Sequence, residues 1–204
     1  MNLEGKHSNT GATDTRSDPV CESQVERLAK IADASIRSLS ALIFMHDEGL
    51  PTEAADYSDL PIVKDKLNPE EKKLFDENSL VGARVLVCAL SATNKADDLY
   101  EKFALHNGNG DAFRHMYWNF RMASDTDIGP LWAERWGNAH EDGDPRQPQI
   151  ERMMDLHNNK RGRELAAAKV DDDPRALRAA IRNGSCRIIQ QGALVRSNAE
   201  GEKP

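Results

Sequence analysis

The stretch that most constrains this chain is residues 107–163, which holds three of the six histidines and all three tryptophans. Carboxylate, amide and guanidinium side chains accompany them in three short clusters. A hydrophobic core does not require this mixture, because a buried polar group costs free energy unless it is paired. The stretch is therefore predicted to form a polar functional site between helices, an active site able to hold a metal ion.

Apolar residues recur at spacings of three and four along most of the chain, which is the period of an amphipathic helix. The first such helix begins at Glu22 and ends before Gly49. The segment Asn68-Pro69-Glu70-Glu71 has the cap residue, the proline and the acids of a helix start. Residues 79–93 are the most apolar run and are predicted to be a buried helix, since no second strand-like run is recognised for pairing.

Further helices are predicted over residues 97–106, 111–123, 130–141 and 149–169, and from a cap at 171–174 to about Leu194. The expected fold is all-α, a single-domain bundle of about seven helices within residues 21–196, with a motif core at 107–165. Residues 1–20 are predicted to be a disordered arm, because they are polar and lack an apolar stripe. Residues 197–204 are predicted to be a flexible tail.

The net charge of −7 makes nucleic acid an unfavourable partner for the chain as a whole. Residues 146–196 are nevertheless basic, with eleven Lys or Arg against six Asp or Glu, and either face phosphates or form a solvated helix surface. The three cysteines have no CxxC spacing, so neither a disulfide framework nor a cysteine zinc site is expected.

Targeting signals are not recognised in the sequence. The first twenty residues have no apolar region of the kind a signal peptide needs, and no run of about eighteen apolar residues predicts a membrane span. We expect synthesis in the cytoplasm without a signal peptide. A chain that acts outside the cell would then leave by a route that needs no cleaved signal.

Asp111 and His115 are four residues apart, so their side chains lie on one helical face about one turn apart. This spacing allows the two to share a metal ion, or allows the carboxylate to orient the imidazole. Arg114 adjoins them, and we expect it to hold an anionic group of the substrate.

His140 and Glu141 are neighbours, and neighbours on a helix point about 100° apart, so they rarely bind one ion together. No histidine follows four residues later, which excludes the HExxH zinc motif. Either residue can meet His115 from a second helix. Alternatively, His140 is a histidine at a helix C-terminus that interacts with the helix dipole.

Asp155 shares a helical face with Asn158 and Asn159. Two adjacent asparagines inside a helix cost helix propensity, so packing alone does not favour them. Their amide oxygens suit a hard cation beside the carboxylate, and suit equally hydrogen bonds to a polar substrate or to a partner helix. Arg163 can neutralise a phosphate or a carboxylate.

Three helical segments are thus predicted to turn polar faces toward one site, as helix bundles do when they build metal or catalytic centres. The predicted catalytic residues are Asp111, Arg114, His115, His140, Glu141 and Asp155. The predicted metal ligands are Asp111, His115, His140 and Asp155, for a divalent ion such as Ca²⁺, Mg²⁺ or Zn²⁺. The predicted substrate-binding residues are Asn158, Asn159 and Arg163.

At these positions the sequence resembles a little-characterised family of bacterial toxin-like domains found in secreted interbacterial effectors. The shared pattern is DAxRHxxW, then AHE, then MDxxNNxxGR. In this chain the pattern covers Asp111 to Trp118, Ala139 to Glu141 and Met154 to Arg163. The resemblance implies an antibacterial effector delivered by a secretion apparatus, with a component of that apparatus and a cognate immunity protein as partners.

The leading hypothesis is therefore a secreted antibacterial toxin with metal-assisted hydrolase activity on a cell-envelope substrate, such as a lipid-linked precursor, a phospholipid or peptidoglycan. One alternative is a metal-dependent nuclease toxin, which the basic residues 146–196 favour and the net charge disfavours. Another is a non-enzymatic helical binding module whose polar cluster is a buried hydrogen-bond network.

Overall fold

The computed structural model describes residues 67–204, together with Arg27 and Lys30. Within these residues the chain forms six α-helices and one two-stranded sheet, so the mostly helical fold predicted from the sequence is confirmed. In chain order the elements are α1 (Pro69–Glu77), α2 (Ser79–Leu99), a 3₁₀ turn (Lys102–Ala104), α3 (Asn109–Ser124), α4 (Gly129–Asp142), α5 (Gln149–Ala167), α6 (Pro174–Arg182), β1 (Arg187–Gln190) and β2 (Ala193–Arg196). The arm predicted at residues 1–20 and most of the helix predicted from Glu22 lie outside the described residues.

The start of α1 is set by the side chains at its cap. The Asn68 side chain accepts a hydrogen bond from the Glu71 backbone N–H at 2.9 Å, and the Glu71 side chain accepts one from the Asn68 N–H at 2.8 Å. This reciprocal pair is a capping box, which satisfies two backbone donors that a helix start leaves without partners. Side-chain oxygens of Asn78 and Asp173 cap α2 and α6.

The apolar run at residues 79–93 forms part of α2 and is buried, as predicted. Val85, Leu86 and Ala89 on this helix are fully buried in the hydrophobic core. In the part of the chain that the structure describes, no helix is both long and apolar enough to cross a membrane.

α3 lies at the centre of the fold, where it packs against α2, α4 and α5. All of its residues from Asn109 to Phe120 are buried. Its aromatic face is a stack in which the Tyr117 ring lies 5.4 Å from Phe113 and 6.4 Å from Phe120, centroid to centroid. Because the helix is covered on every side, its polar residues face the protein interior and must find partners there.

Gly162 allows α5 to approach the backbone of α3 directly. A Cβ at this position would lie 2.0 Å from the Met116 backbone oxygen, far inside van der Waals contact. The helix crossing places Asp155 and Asn159 of α5 beside His115 of α3. The position of the polar residues therefore depends on a glycine at the crossing.

The last predicted helix is shorter than expected, because α6 ends at Arg182 instead of near Leu194. Gly184 follows with a φ of 75°, and the chain continues into an antiparallel hairpin of β1 and β2. The hairpin turn at Gln191 and Gly192 has φ values of 51° and 76°. Two left-handed central residues match the twist of the strands, which is why such turns are favoured in tight hairpins.

The chain end also differs from the expectation. Within residues 197–204, predicted to be a flexible tail, Glu202 forms an antiparallel bridge with Tyr100 at the end of α2, and the Lys203 N–H donates to the Leu99 carbonyl at 2.9 Å. The helix predicted over residues 97–106 is interrupted at this point, because α2 continues to Leu99 and Tyr100 is extended. A single 3₁₀ turn follows instead of a helix.

We predict that Gly162→Ala lowers the free energy of unfolding by about 3 kcal/mol, because the added methyl group overlaps the α3 backbone. The loss should appear in urea unfolding even though alanine has the higher helix propensity. Lys160→Ala, at an exposed position of the same helix, is the control and should change the value by less than about 0.5 kcal/mol. Equal stability of Gly162→Ala and wild type would contradict the close crossing.

Candidate metal centre

Asp111 occupies the first turn of α3 and is held from two sides. Its Oδ2 accepts a hydrogen bond from the Asn107 backbone N–H at 2.6 Å, and its Oδ1 accepts one from Arg114 Nη2 at 2.6 Å. The same Arg114 nitrogen also donates to the Leu105 carbonyl at 3.1 Å. Arg114 is only 1% exposed and positions Asp111 in this structure. Its expected contact with an anionic group of the substrate stays a prediction.

His115 is surrounded by acceptor oxygens. Its Nε2 lies 3.5 Å from Asp111 Oδ1 and 3.5 Å from Asp155 Oδ1. Its Nδ1 lies 3.3 Å from Asn159 Oδ1 and 3.5 Å from Glu141 Oε1. Ligand atoms of Asp111, His115 and Asp155 all lie within 4.8 Å of one another, and all three residues are buried. We call these three residues the DHD centre.

The geometry of the DHD centre fits a divalent cation. Two ligand atoms that are each about 2.1 Å from one ion lie about 3.0–3.4 Å apart in octahedral or tetrahedral coordination, close to the separations around His115 Nε2. A histidine that binds a metal through one nitrogen usually donates its other N–H to a carboxylate or carbonyl. Asn159 and Glu141 supply both kinds of acceptor at Nδ1.

Asp155 contributes a second indication. Its Oδ2 accepts a hydrogen bond from Gln147, but its Oδ1 is buried and has no hydrogen-bond partner among the described residues. A buried acceptor without a donor is costly, the more so when it is charged. A cation between Asp155 Oδ1, Asp111 and His115 would remove this cost.

The charges of the site shift the pKa values of its members. Burial lowers the pKa of His115, but the carboxylates of Asp155, Glu141 and Asp111 outweigh it and raise this pKa to about 9. The pKa of Asp155 is raised well above its usual value by burial, and Glu141 and Asp111 add to the effect against the attraction of His115. Burial favours neutral Glu141, but the hydrogen bond and charge of His115 lower its pKa. The buried carboxylates therefore favour a positive charge between them, which a protonated His115 or a bound cation can supply.

Glu141 is linked to α3 and α5 through a chain of side chains. Asn159 Nδ2 donates to Glu141 Oε1 at 2.9 Å, and Asn119 Nδ2 donates to Asn159 Oδ1 at 2.8 Å. Arg163 Nη1 donates to Asn119 Oδ1 at 2.8 Å and completes the chain. Asn159 and Arg163, predicted to bind substrate, are both engaged in this network.

Asn158, predicted to bind substrate, contacts the backbone of Arg187 in β1. Its side chain donates to the Arg187 carbonyl at 2.9 Å and accepts from the Arg187 N–H at 2.8 Å. Both hydrogen bonds fix β1 against α5. The adjacent asparagines thus serve two purposes, since Asn159 faces the DHD centre and Asn158 holds the hairpin.

His140, predicted as a metal ligand, is not part of the DHD centre. Its Nδ1 lies 2.6 Å from Glu71 Oε1, and its ring stacks edge-on against Trp118 at 5.0 Å. The His140 and His115 ring centroids are 6.3 Å apart. Glu71 is in turn held by Arg27, whose Nη2 lies 2.9 Å from Oε2. His140 therefore belongs to a second buried pair beside the centre.

Sequence reasoning missed two residues of the site, Gln147 and Glu71. Gln147 Nε2 donates to Asp155 Oδ2 at 2.9 Å and to Glu141 Oε2 at 3.2 Å. It lies in the loop between α4 and α5, where helical periodicity carries no information. Glu71 carried a signal as the acid three residues after the cap Asn68 in a capping box, but that signal points to a helix start and not to His140.

The fold and the site together define a mostly helical protein with a buried carboxylate–imidazole centre. Residues 72–186, more than half of the chain, match the model of a family described as a domain of unknown function (DUF6973), and the chain belongs to that family. The matched range includes the three motif clusters. Neither the curated proteins nor the solved structures contain a match to the chain.

The raised pKa of His115 predicts a specific pH dependence of stability. The pKa of His115 is about 9 in the fold, against 6.5 for an ordinary histidine. This difference corresponds to on the order of 3 kcal/mol of folding stability, which is fully present below about pH 6.5 and is lost as the pH rises through about 9. Urea unfolding in the presence of a chelator should therefore show the stability gap between wild type and His115→Gln shrinking between about pH 6 and about pH 10. A gap that does not change with pH would contradict the charged His115.

Proposed function

We propose that this domain is a divalent-cation-dependent hydrolase and that it acts as a secreted antibacterial effector. The observation that carries the enzymatic part is the DHD centre, with three ligand atoms within 4.8 Å of one another and a buried Asp155 Oδ1 that forms no hydrogen bond among the described residues and lies 3.5 Å from His115 Nε2. Such a centre has the residue types and the spacing of a site for a hard or borderline cation.

Each residue of the proposed site has a distinct task. Asp111 and Asp155 supply carboxylate oxygens from α3 and α5, and His115 supplies Nε2 between them. Glu141 and Asn159 accept at His115 Nδ1 and so orient the ring with Nε2 toward the cation, which has to displace a proton from Nε2 when it binds. A cation bound there supplies Lewis acidity that polarises a carbonyl or phosphoryl group of the substrate.

The effector part of the proposal is supported by the resemblance of residues 107–165 to toxin-like domains. A cell-envelope substrate, such as a lipid-linked precursor, a phospholipid or peptidoglycan, suits such an effector. A secretion-apparatus component and an immunity protein are the partners that this role implies. The net charge of −7 argues against a nucleic-acid substrate.

The first test is cation binding. Calorimetric titration with Mn²⁺ should show binding to the wild type, and Asp155→Asn should weaken it at least about 100-fold because the variant keeps its shape but loses the carboxylate charge. Glu164→Gln, an exposed carboxylate later on α5, is the matched control and should bind like wild type. Absence of binding of Mn²⁺, Mg²⁺ and Zn²⁺ to the wild type would sink the proposal.

The second test is growth of a bacterial host that exports the chain to its periplasm. The wild-type protein should stop growth when it is exported to the periplasm and should not do so when it is kept in the cytoplasm. The variants Asp155→Asn and His115→Ala should be harmless. Circular dichroism of the purified variants separates loss of activity from loss of fold. Growth arrest by cytoplasmic expression with loss of DNA or RNA would instead support a nuclease.

A second candidate function is a non-enzymatic helical binding module. The observation in its favour is the burial of the site, since Asp111, His115 and Asp155 are no more than 5% exposed. In that case a cation would serve the stability of the fold, and Asp155→Asn would lower stability without changing toxicity. The two assays above distinguish this module from a hydrolase.

A further inference from the structure

The loop between α4 and α5, residues 143–148, delivers one side chain to the centre. Asp144 Oδ1 accepts from the Arg146 N–H at 2.9 Å, and the Gln147 N–H donates to the Asp144 carbonyl at 3.1 Å. These local bonds fix the backbone of the loop. Gln147 is half-buried, while Arg146 beside it is exposed.

The Gln147 amide lies between two carboxylates. Its Nε2 is 2.9 Å from Asp155 Oδ2 and 3.2 Å from Glu141 Oε2, so one amide group donates to both acids. Its Oε1 is buried and has no hydrogen-bond partner among the described residues. In this orientation the amide nitrogen has two acceptors, whereas the buried amide oxygen has no donor among the described residues, which costs free energy.

We infer that Gln147 is a further cation ligand, which turns its side-chain amide so that Oε1 joins Asp111, His115 and Asp155 when the ion binds. This inference rests on the proposed function, because it requires a cation at the DHD centre. It adds a residue from the α4–α5 loop to a centre otherwise built from α3 and α5.

Rotation of the amide by half a turn exchanges the nitrogen and the oxygen with little other movement. Oε1 then occupies the position 2.9 Å from Asp155 Oδ2 where Nε2 lies in this structure. The ion would then be held by both oxygens of Asp155, Oδ1 on the side of His115 and Oδ2 on the side of Gln147. Two ligand oxygens from different residues that lie about 3.0 Å apart suit an ion at about 2.1 Å from each. Without a cation the same placement would repel, since both atoms carry partial or full negative charge.

The amide therefore has two orientations whose relative energies depend on the ion. With its N–H toward the acids, Gln147 compensates their charge, and with its oxygen toward the ion it completes a ligand set. Cation binding is in this way coupled to the orientation of one side-chain amide.

The extra oxygen bears on which cation is preferred. Asp111, His115 and Asp155 alone are three protein ligands, the number that many zinc sites use. A carbonyl oxygen from Gln147 raises the coordination number and the share of oxygen ligands, which suits Mn²⁺ or Mg²⁺ better. Loss of Gln147 should therefore weaken Mn²⁺ binding more than Zn²⁺ binding.

The test compares three variants by calorimetry with Mn²⁺ and with Zn²⁺. Gln147→Leu should bind Mn²⁺ at least about 10-fold more weakly than wild type, with a smaller loss for Zn²⁺. Gln147→Glu keeps an oxygen at this position but no N–H, and should bind Mn²⁺ at least as tightly as wild type. Gln149→Leu, an exposed glutamine two residues later, is the matched control and should be unchanged.

The outcomes separate this inference from the proposed function. If Gln147 serves only as a donor to the two acids, Gln147→Leu will bind Mn²⁺ more tightly than wild type, because the acids lose a hydrogen bond that offsets their charge, and the ligand role is overturned. Wild-type affinity in Gln147→Leu overturns it equally. In both cases, cation binding by the wild-type protein still supports the DHD centre. A wild-type protein that binds none of the cations contradicts both the ligand role of Gln147 and the proposed function.

Discussion

The direct contact between the backbones of α3 and α5 at Gly162 is the constraint on which the rest of the structure depends. Gly162, Asn159 and Asp155 follow one another on α5 at spacings of three and four, so they lie on one face of that helix. Where Gly162 touches the Met116 backbone, that face is pressed against α3, and Asp155 and Asn159 come into contact range of His115. One helix crossing thus assembles most of the centre, on rigid elements instead of loops.

The crossing also creates an electrostatic problem that explains the other residues nearby. Asp111, Asp155 and Glu141 bring three carboxylates to a single imidazole, in an interior where charges are poorly screened. Arg114 offsets part of this charge at Asp111, and amide groups contact the other two acids. The balance is still negative enough to raise the pKa of His115 to about 9, so a proton on this ring and a metal ion on its Nε2 compete for one environment.

The DHD centre could be predicted from the sequence because its members lie on helices. A carboxylate four residues before a histidine, and an acid followed by two asparagines, are unusual in helix interiors and share a face by periodicity alone. Gln147 could not be found in this way, since its direction depends on a turn between two prolines and not on a period. The hairpin was missed for a related reason, because strands of four residues give little alternation and only the Gln191–Gly192 turn marks them.

His140 and Glu141 are neighbours in the sequence, yet Glu141 lies beside His115 whereas His140 pairs with Glu71. Neighbouring side chains on a helix point about 100° apart, so when Glu141 faces His115, His140 must face another element, which here is α1. Its partner Glu71 is the acid of the capping box that starts α1, and both Glu71 oxygens are engaged, one by His140 and one by the Asn68 N–H. The buried pair fixes the rotation of α4 about its own axis, and this rotation aims Glu141 at His115. α1 thereby positions the centre through α4 without contributing a ligand to it.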